Sequence, residues 1–245
     1  MNLQMVSFRI FSDSNVIAEK IASCWYDQAQ RAARDKRMFS VVLSGGTTAS
    51  LVYRHLAKYK PMSPMIWKWV HIFWADERCV PPEHKESNYL NIQRTFLSDI
   101  QIPMKNIHRI RGENEPFGEC LRYEKEITDH LLHKSGDHKL FDWVLLGVGA
   151  DGHTASIFPG QEFLLGTQDL CVVVTHPVTG KKRITLTPYA LNLSDRVTYN
   201  VIGLDKAVKV SDLISEKSRS NRFPTGYVEG EWFLDYDAAS RLKFS

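Results

Sequence analysis

An α/β fold, a mostly parallel twisted sheet with helices on both faces, is the architecture the sequence predicts. Two observations predict it. Short apolar runs alternate with longer amphipathic stretches along the whole chain. Several of those runs are apolar throughout, as strands buried on both faces require. Taken in order, residues 14–36 carry Ile17, Ile21, Trp25, Ala29 and Ala32 near the helical period, with Ser14 or Asp13 placed to cap. FSVVL at 39–43 reads as a buried strand that stops at a Ser-Gly-Gly turn, and a helix from Thr47 to Tyr59 follows. IWKWVHIFW at 66–74 is rich in aromatic and β-branched residues and reads as a second strand. Its tryptophans Trp67, Trp69 and Trp74 read as core and not as a stacking platform. Residues 87–99 and 116–133 read as helices, and FDWVLLG at 141–147 as another buried strand ending in glycine. Residues 171–175 and 183–187 are strand-like, and Thr187-Pro188 opens a short helix with proline at its first position. VTYNVIGL at 197–204 is a further strand, followed by a helix from Asp205; 231–234 and 236–243 give a last strand and helix. No repeat, low-complexity tract or linker interrupts this alternation, so residues 1–245 read as a single domain.

Composition narrows the function. Thirty-one Lys and Arg against 28 Asp and Glu leave a formal charge of +3, too little for a basic nucleic-acid arm and too positive for an acidic tail. The 43% hydrophobic and 24% charged content is ordinary for a globular protein. Cys24, Cys79, Cys120 and Cys171 form no C-x-x-C pair, so four free thiols in a reducing, cytoplasmic setting are expected, without a zinc cluster. No stretch has the length of a membrane span, and the first residues lack a signal-peptide pattern.

In an open parallel sheet, ligands bind at the carboxyl ends of the strands. Those ends carry Ser44-Gly45-Gly46-Thr47-Thr48, then Asp76-Glu77-Arg78, then Gly147 to His153, then Asp205-Lys206. Four such ends imply one convergent site. The LSGGTT turn enters a helix, whose N-terminus and amide groups suit an anion, although no Walker A lysine follows. The plainer reading is a tight turn with Ser44 or Thr47 as the cap. GVGADG at 147–152 matches G-x-G-x-x-G, but the acidic residue at dinucleotide spacing, Asp169, precedes the next apolar run instead of ending it. Nucleotide binding is therefore not expected. His153, just past this turn, at the start of a short helix (TASIF) and beside Asp151, is the expected proton acceptor. The other eight histidines read as capping or packed. Arg78 suits a carboxylate, a phosphate or a developing oxyanion, the alternative being a pair with Asp76 or Glu77. Lys206 and Arg183 are further cations at strand ends, whereas Lys181 and Lys182 read as solvated surface. No G-x-S-x-G elbow, H-E-x-x-H or carboxylate cluster with metal spacing occurs. The residues thus point to a metal-free site for a small anionic ligand, with a His/Asp pair for proton transfer.

The segments LSGGTTASLVYRHL, WADERCVPPEHKESNY, LLGVGADGHTASIFPG and KRITLTPYALNLSDRVTYNVIGLDKA resemble, in this order, the successive motifs of 6-phosphogluconolactonases. These belong to a wider superfamily that includes the amino-sugar-phosphate isomerase/deaminases. The resemblance covers residues 39–210. Deaminases resemble D-G-H-I-A-F-N-E-P after the histidine, whereas this chain has D-G-H-T-A-S-I-F-P, the lactonase form. Near the C-terminus the family's leucine-proline-alanine-like segment is replaced by Phe223-Pro224-Thr225-Gly226-Tyr227. The resemblance implies a three-layer fold and hydrolysis of 6-phospho-D-glucono-1,5-lactone, the second step of the oxidative pentose phosphate pathway, with no cofactor. It implies His153 as general base, Asp151 as its orienter and Arg78 as a stabiliser of charge at the ester. Gly45, Gly46, Thr47, Arg183 and Lys206 would hold the sugar phosphate, with Ser44 and Asp76 also among the substrate-binding positions. The alternatives are a glucosamine-6-phosphate deaminase and a non-catalytic sugar-phosphate sensor; an intact His153 and Asp151 speak against the sensor.

Overall fold

The computed structural model describes residues 7–59, 63–131, 139–214 and 223–242. The strands are β1 (Phe8–Phe11), β2 (Phe39–Leu43), β3 (Val70–Trp74), β4 (Asp76–Arg78), β5 (Ile107–His108), β6 (Trp143–Leu146), β7 (Cys171–Thr175), β8 (Lys182–Leu186), β9 (Val197–Val201) and β10 (Glu231–Asp235). The helices are α1 (Ser14–Arg34), α2 (Thr47–Lys58), α3 (Pro64–Trp67), α4 (Asn88–Thr95), α5 (Pro116–Leu131), α6 (Pro188–Asn192), α7 (Ala207–Ile214) and α8 (Tyr236–Ala239). Seven strands form one parallel sheet in the order β1-β10-β9-β6-β2-β3-β5. Every residue of β2, β6 and β9 is buried, so both faces of the sheet's centre are covered, the condition under which parallel strands read as unbroken apolar runs.

Local chemistry explains the elements. Asp13 caps α1 by accepting from the N–H groups of Asn15 and Val16, at 2.8 and 3.2 Å. The buried stripe of α1 includes the five residues of its sequence period. Trp25 of that stripe meets Phe39 and Phe96 edge-on, with centroids 5.7 and 5.9 Å apart. No helix among the described residues is long and apolar enough to cross a membrane. The four cysteines are free.

Several expectations need correction. Residues 66–74 are not one strand: Pro64 starts the helical turn α3, and the strand begins only at Val70. A run of aromatic and β-branched residues without alternation does not distinguish the two states. Residues 96–99 leave the helix and form a 3₁₀ turn at Leu97–Asp99. A 3₁₀ turn at Leu204–Lys206 likewise precedes α7. TASIF is not a helix; Thr154 and Ile157 form an isolated bridge closing a tight loop. Strands β1, β4 and β5 carry too few residues for a periodic signal. Helical expectations at 132–133 and 243 lie outside the described residues.

The sequence marks β7 and β8 as strands without showing which sheet they join. They join β4 in a separate antiparallel sheet, order β4-β8-β7, and are not members of the parallel one. Only Ala75 separates β3 from β4. Its N–H donates to Leu43 at 2.8 Å, and its carbonyl accepts from Leu186, also at 2.8 Å. One buried residue thus links the two sheets and projects Asp76, Glu77 and Arg78 past the carboxyl end of β3.

Candidate active site

A pocket opens at the carboxyl ends of β2, β3 and β6. Its lining includes Ser44, Gly45, Gly46, Thr47, Asp76, Arg78, His153, Arg183 and Lys206. Five segments far apart in sequence therefore meet at one place. Asp151 does not line the pocket but is bonded to His153.

The β2–α2 turn forms one wall. Gly46 is the N-cap of α2, at φ 107°, and no side chain caps the helix. Neither Ser44 nor Thr47 caps it, so the first-turn N–H groups of α2 lie uncapped beside the pocket, where partial positive charge accumulates. The Ser44 hydroxyl is buried without a protein partner. Gly45 is packed against Asn88: a Cβ there would stand 1.9 Å from the Asn88 amide oxygen.

The second wall is β4 with β8. Glu77 does not pair with Arg78. Its carboxylate accepts from the backbone N–H groups of Arg78, Asn88 and Tyr89, at 2.7–2.8 Å, and from the Ser87 hydroxyl. Burial pushes the Glu77 carboxyl up, against the pull of those amide donors. The arrangement clamps the N-terminus of α4 onto β4. Asp76 accepts from Ser156 at 2.6 Å and from Asn88 at 3.1 Å. Arg78 donates to the Glu86 carbonyl at 2.6 Å, and its Nε is buried without a partner. Across the ladder Arg78 stands opposite Arg183. Burial, and then the neighbouring Arg78 guanidinium, hold Arg183 below the ordinary guanidinium value. Two cations opposed in a pocket wall suit the anionic groups of a ligand. Lys206 adds a third cation and rests on Asp205 at 3.1 Å. Lys181 pairs with Glu86 at 2.8 Å on the surface, and Lys182 lies over Phe117.

The third wall is the 147–160 loop. His153 Nδ1 is 2.5 Å from Asp151 Oδ1, and the His153 backbone N–H bonds the same oxygen at 3.1 Å. Burial pushes the Asp151 carboxyl up, but the two His153 contacts outweigh it and hold it below the usual carboxylate range. An ionised carboxylate only accepts, so Nδ1 carries the proton and Nε2 is the basic nitrogen. The G-x-G-x-x-G match has a different use from a dinucleotide turn: a Cβ on Gly149 would lie 2.1 Å from His153 Nδ1 and 2.8 Å from Asp151 Oδ1. The dyad sits directly on that glycine. A Cβ on Gly152, at φ 87°, would meet the Phe223 ring at 2.9 Å, so the atypical 223–227 segment packs against the back of this loop.

Sequence reasoning overlooked Asn88, Ser156 and Phe158. Phe158 is buried; its ring stands 5.1 Å from the His153 ring and lies under the Arg183 guanidinium at 5.6 Å. It joins the dyad to the arginine wall. Its only signal in the sequence was apolarity, which core residues share. Of the other histidines, His133 and His138 lie outside the described residues. Among the described residues, the one triad of His, Cys, Asp or Glu at metal-ligand distance, His108, Glu126 and His130, does not line the pocket.

The family model for glucosamine-6-phosphate isomerases/6-phosphogluconolactonase matches residues 12–234. A 6-phosphogluconolactonase of Haemophilus influenzae is 39% identical over 207 residues, 82% of this chain and 86% of that protein. One from Aggregatibacter actinomycetemcomitans is 35% identical, covering 97% of this chain and 100% of that protein. The crystal structure of devB protein superposes with a TM-score of 0.89 at 34% identity, covering 98% of this chain and 100% of the other. That of 6-phosphogluconolactonase from Thermotoga maritima gives 0.78 at 27% identity, covering 94% and 99%. With its parallel sheet, its convergent pocket and these matches, the chain belongs to the glucosamine-6-phosphate isomerase/6-phosphogluconolactonase family.

Proposed function

We propose that the chain hydrolyses 6-phospho-D-glucono-1,5-lactone to 6-phospho-D-gluconate, and that its own side chains carry the reaction without a resident metal. The observation that carries this reading is His153, held by Asp151, lining the same pocket as Arg78, Arg183, Lys206 and the uncapped N-terminus of α2. The relatives named 6-phosphogluconolactonase at 35–39% identity support the substrate.

In this reading the phosphate lies against the Gly45-Gly46-Thr47 amides and the cations of Arg183 and Lys206, with Ser44 and Asp76 taking sugar hydroxyls. His153 Nε2 removes a proton from water, and the oxygen attacks the lactone carbonyl carbon. Arg78 offsets the charge that develops on the carbonyl oxygen. The tetrahedral intermediate collapses, the bond from the carbonyl carbon to the ring oxygen breaks, and that oxygen takes the proton from the imidazolium. Asp151 holds Nδ1–H throughout and stabilises the cation between the two transfers. A lactone is an activated ester, so a positioned base and fixed charges suffice.

The test is the rate of lactone opening above the spontaneous rate, with ammonia release from glucosamine 6-phosphate assayed in parallel. Rapid opening without ammonia is expected, and it survives dialysis against a chelator. Ammonia release without lactone opening would transfer the chain to the deaminase branch. Binding of the sugar phosphate with neither reaction would make it a sensor. Activity lost to the chelator and restored by a divalent cation would overturn the metal-free mechanism.

A further inference from the structure

A second cluster of ionisable side chains lies away from the pocket, where β3 and the edge strand β5 meet α5. His108 of β5 is buried, and its Nδ1 stands 2.6 Å from Glu126 Oε1. Its Nε2 is 2.9 Å from His71 Nδ1 on β3. Glu126 and His130 are four residues apart on α5 and so share one face of the helix. The His108 and His130 ring centroids are 4.3 Å apart, and those of His71 and His108 5.1 Å. Nothing in the lactone reaction uses these residues.

We propose that His108, Glu126 and His130 form a binding site for a borderline divalent cation of the zinc class, pinning the edge strand β5 to α5. The donor set is two imidazoles and one carboxylate, which is the composition of open zinc sites with a water in the fourth position. The three ligand atoms lie within 4.8 Å of one another. Ligands at about 2.0–2.2 Å from a tetrahedral ion stand roughly 3.3–3.5 Å apart, so the His108–Glu126 pair, now 2.6 Å apart, opens slightly while the His130 ring closes onto it. Glu126 and His130 are only part-buried and supply that motion, whereas His108 is fixed by its packing.

The surroundings are those of a ligand set. His130 Nδ1 bonds the Glu126 carbonyl at 2.8 Å, and the other Glu126 oxygen is held by Arg122 at 3.1 Å, contacts that orient both side chains. His108 lies against His71 on its far nitrogen, so loading the ion shifts the imidazole proton from Nδ1 to Nε2, where His71 accepts it.

Zinc chloride titrated calorimetrically into the chelator-dialysed full chain tests the site, with cobalt(II) as a spectroscopic probe. One equivalent of zinc is expected to bind, with a rise in unfolding temperature, and cobalt gives the visible bands of a low-symmetry, four-coordinate ion. His130→Ala and Glu126→Gln each weaken zinc at least tenfold and abolish the thermal shift. Both positions are part-buried on a helix, so the variants fold, and lactone opening stays at its normal rate in each. His153→Ala keeps its zinc affinity. The site is refuted if the intact chain takes up no zinc, or if zinc binding survives undiminished in both helix variants, whatever His153→Ala does.

Discussion

The His153–Asp151 dyad and the Arg78–Arg183 pair face the same pocket, yet they are built in opposite ways. The dyad is local: two residues apart, one loop, one glycine beneath it. The arginine pair joins residues 105 positions apart, through two strands of a sheet that exists only because the chain leaves β3 after Ala75. The dyad is internally satisfied, acid against base. The pair sets cation against cation, Arg78 held by the Glu86 carbonyl and Arg183 near the Ser156 hydroxyl, and in the proposed reaction its counter-charge comes from the substrate. A group that moves protons has to be poised before substrate arrives. A group that recognises charge gains by lacking a counter-charge until then.

The largest expected effect sharpens the first half of that contrast. His153→Ala should lower turnover by roughly 10²–10⁴-fold, the range for a positioned general base, while melting like the parent. Spontaneous opening of the lactone has to be subtracted first. Gly149→Ala should approach this loss, about 10²-fold, with both dyad residues intact, because its methyl group would occupy the place of His153 Nδ1. Normal turnover in a folded Gly149→Ala protein would show that the dyad geometry is not what catalysis uses.

The arginine pair is broken by a double-mutant cycle. Each of Arg78→Ala and Arg183→Ala should cost about 1.5–3 kcal/mol in kcat/KM, or roughly 10- to 150-fold, as charge-assisted contacts do. The two losses should be close to additive in the double variant, since Arg183 meets the phosphate and Arg78 the developing oxyanion. Stability should move the other way. Arg183 is disfavoured by burial and by Arg78, so removing either guanidinium should leave the melting temperature unchanged or raise it. A clear fall in melting temperature in the single variants, in step with their losses in activity, would make the pair structural.

The same contrast explains what was legible in the sequence. Each motif that ends a parallel strand could be read, since apolar runs mark strand interiors and the polar residues after them mark the ligand side. That gave Ser44 to Thr47, Asp76, Arg78, His153 and Lys206 as neighbours. The opposition of Arg78 to Arg183 could not be read, because β4 has three residues and shows no period. Glu77 was equally hidden: beside Arg78 in sequence, it turns away to hold the N-terminus of α4. Asn88 and Phe158 are ordinary residues that act through contacts alone. The TASIF segment looked helical by composition, but the loop is set by the Thr154 hydroxyl bonding the Gly147 carbonyl at 3.0 Å and by Ala155 at φ 48°.

Lys206 lies between the two designs, a cation with a weak local partner in Asp205, which is 70% exposed. Lys206→Ala should raise KM for the phosphorylated lactone about tenfold and leave kcat nearly unchanged. Unphosphorylated gluconolactone should barely register the change. Equal damage with both substrates would remove Lys206 from the phosphate.

The smallest effect concerns the cost of poising the dyad. Asp151 is held below its ordinary range in the folded chain, so folding is favoured by the ionised carboxylate. That contribution is fully present above the unfolded carboxyl value of about 3.9 and is lost as pH falls through the lower folded value. Asp151 is 48% exposed, so solvent screening confines the effect to the surface-pair scale of up to about 1 kcal/mol. Asp151→Asn should therefore melt slightly below the parent at pH 5, and the gap should narrow as pH falls below about 4. The same variant loses the acceptor that fixes the Nδ1–H tautomer, so its turnover should fall at pH values where its stability matches the parent's. A stability gap that does not narrow at all as pH falls below about 4 would place the loss in packing and not in the carboxylate charge, and the dyad would then be no more electrostatically poised than the arginine wall it faces.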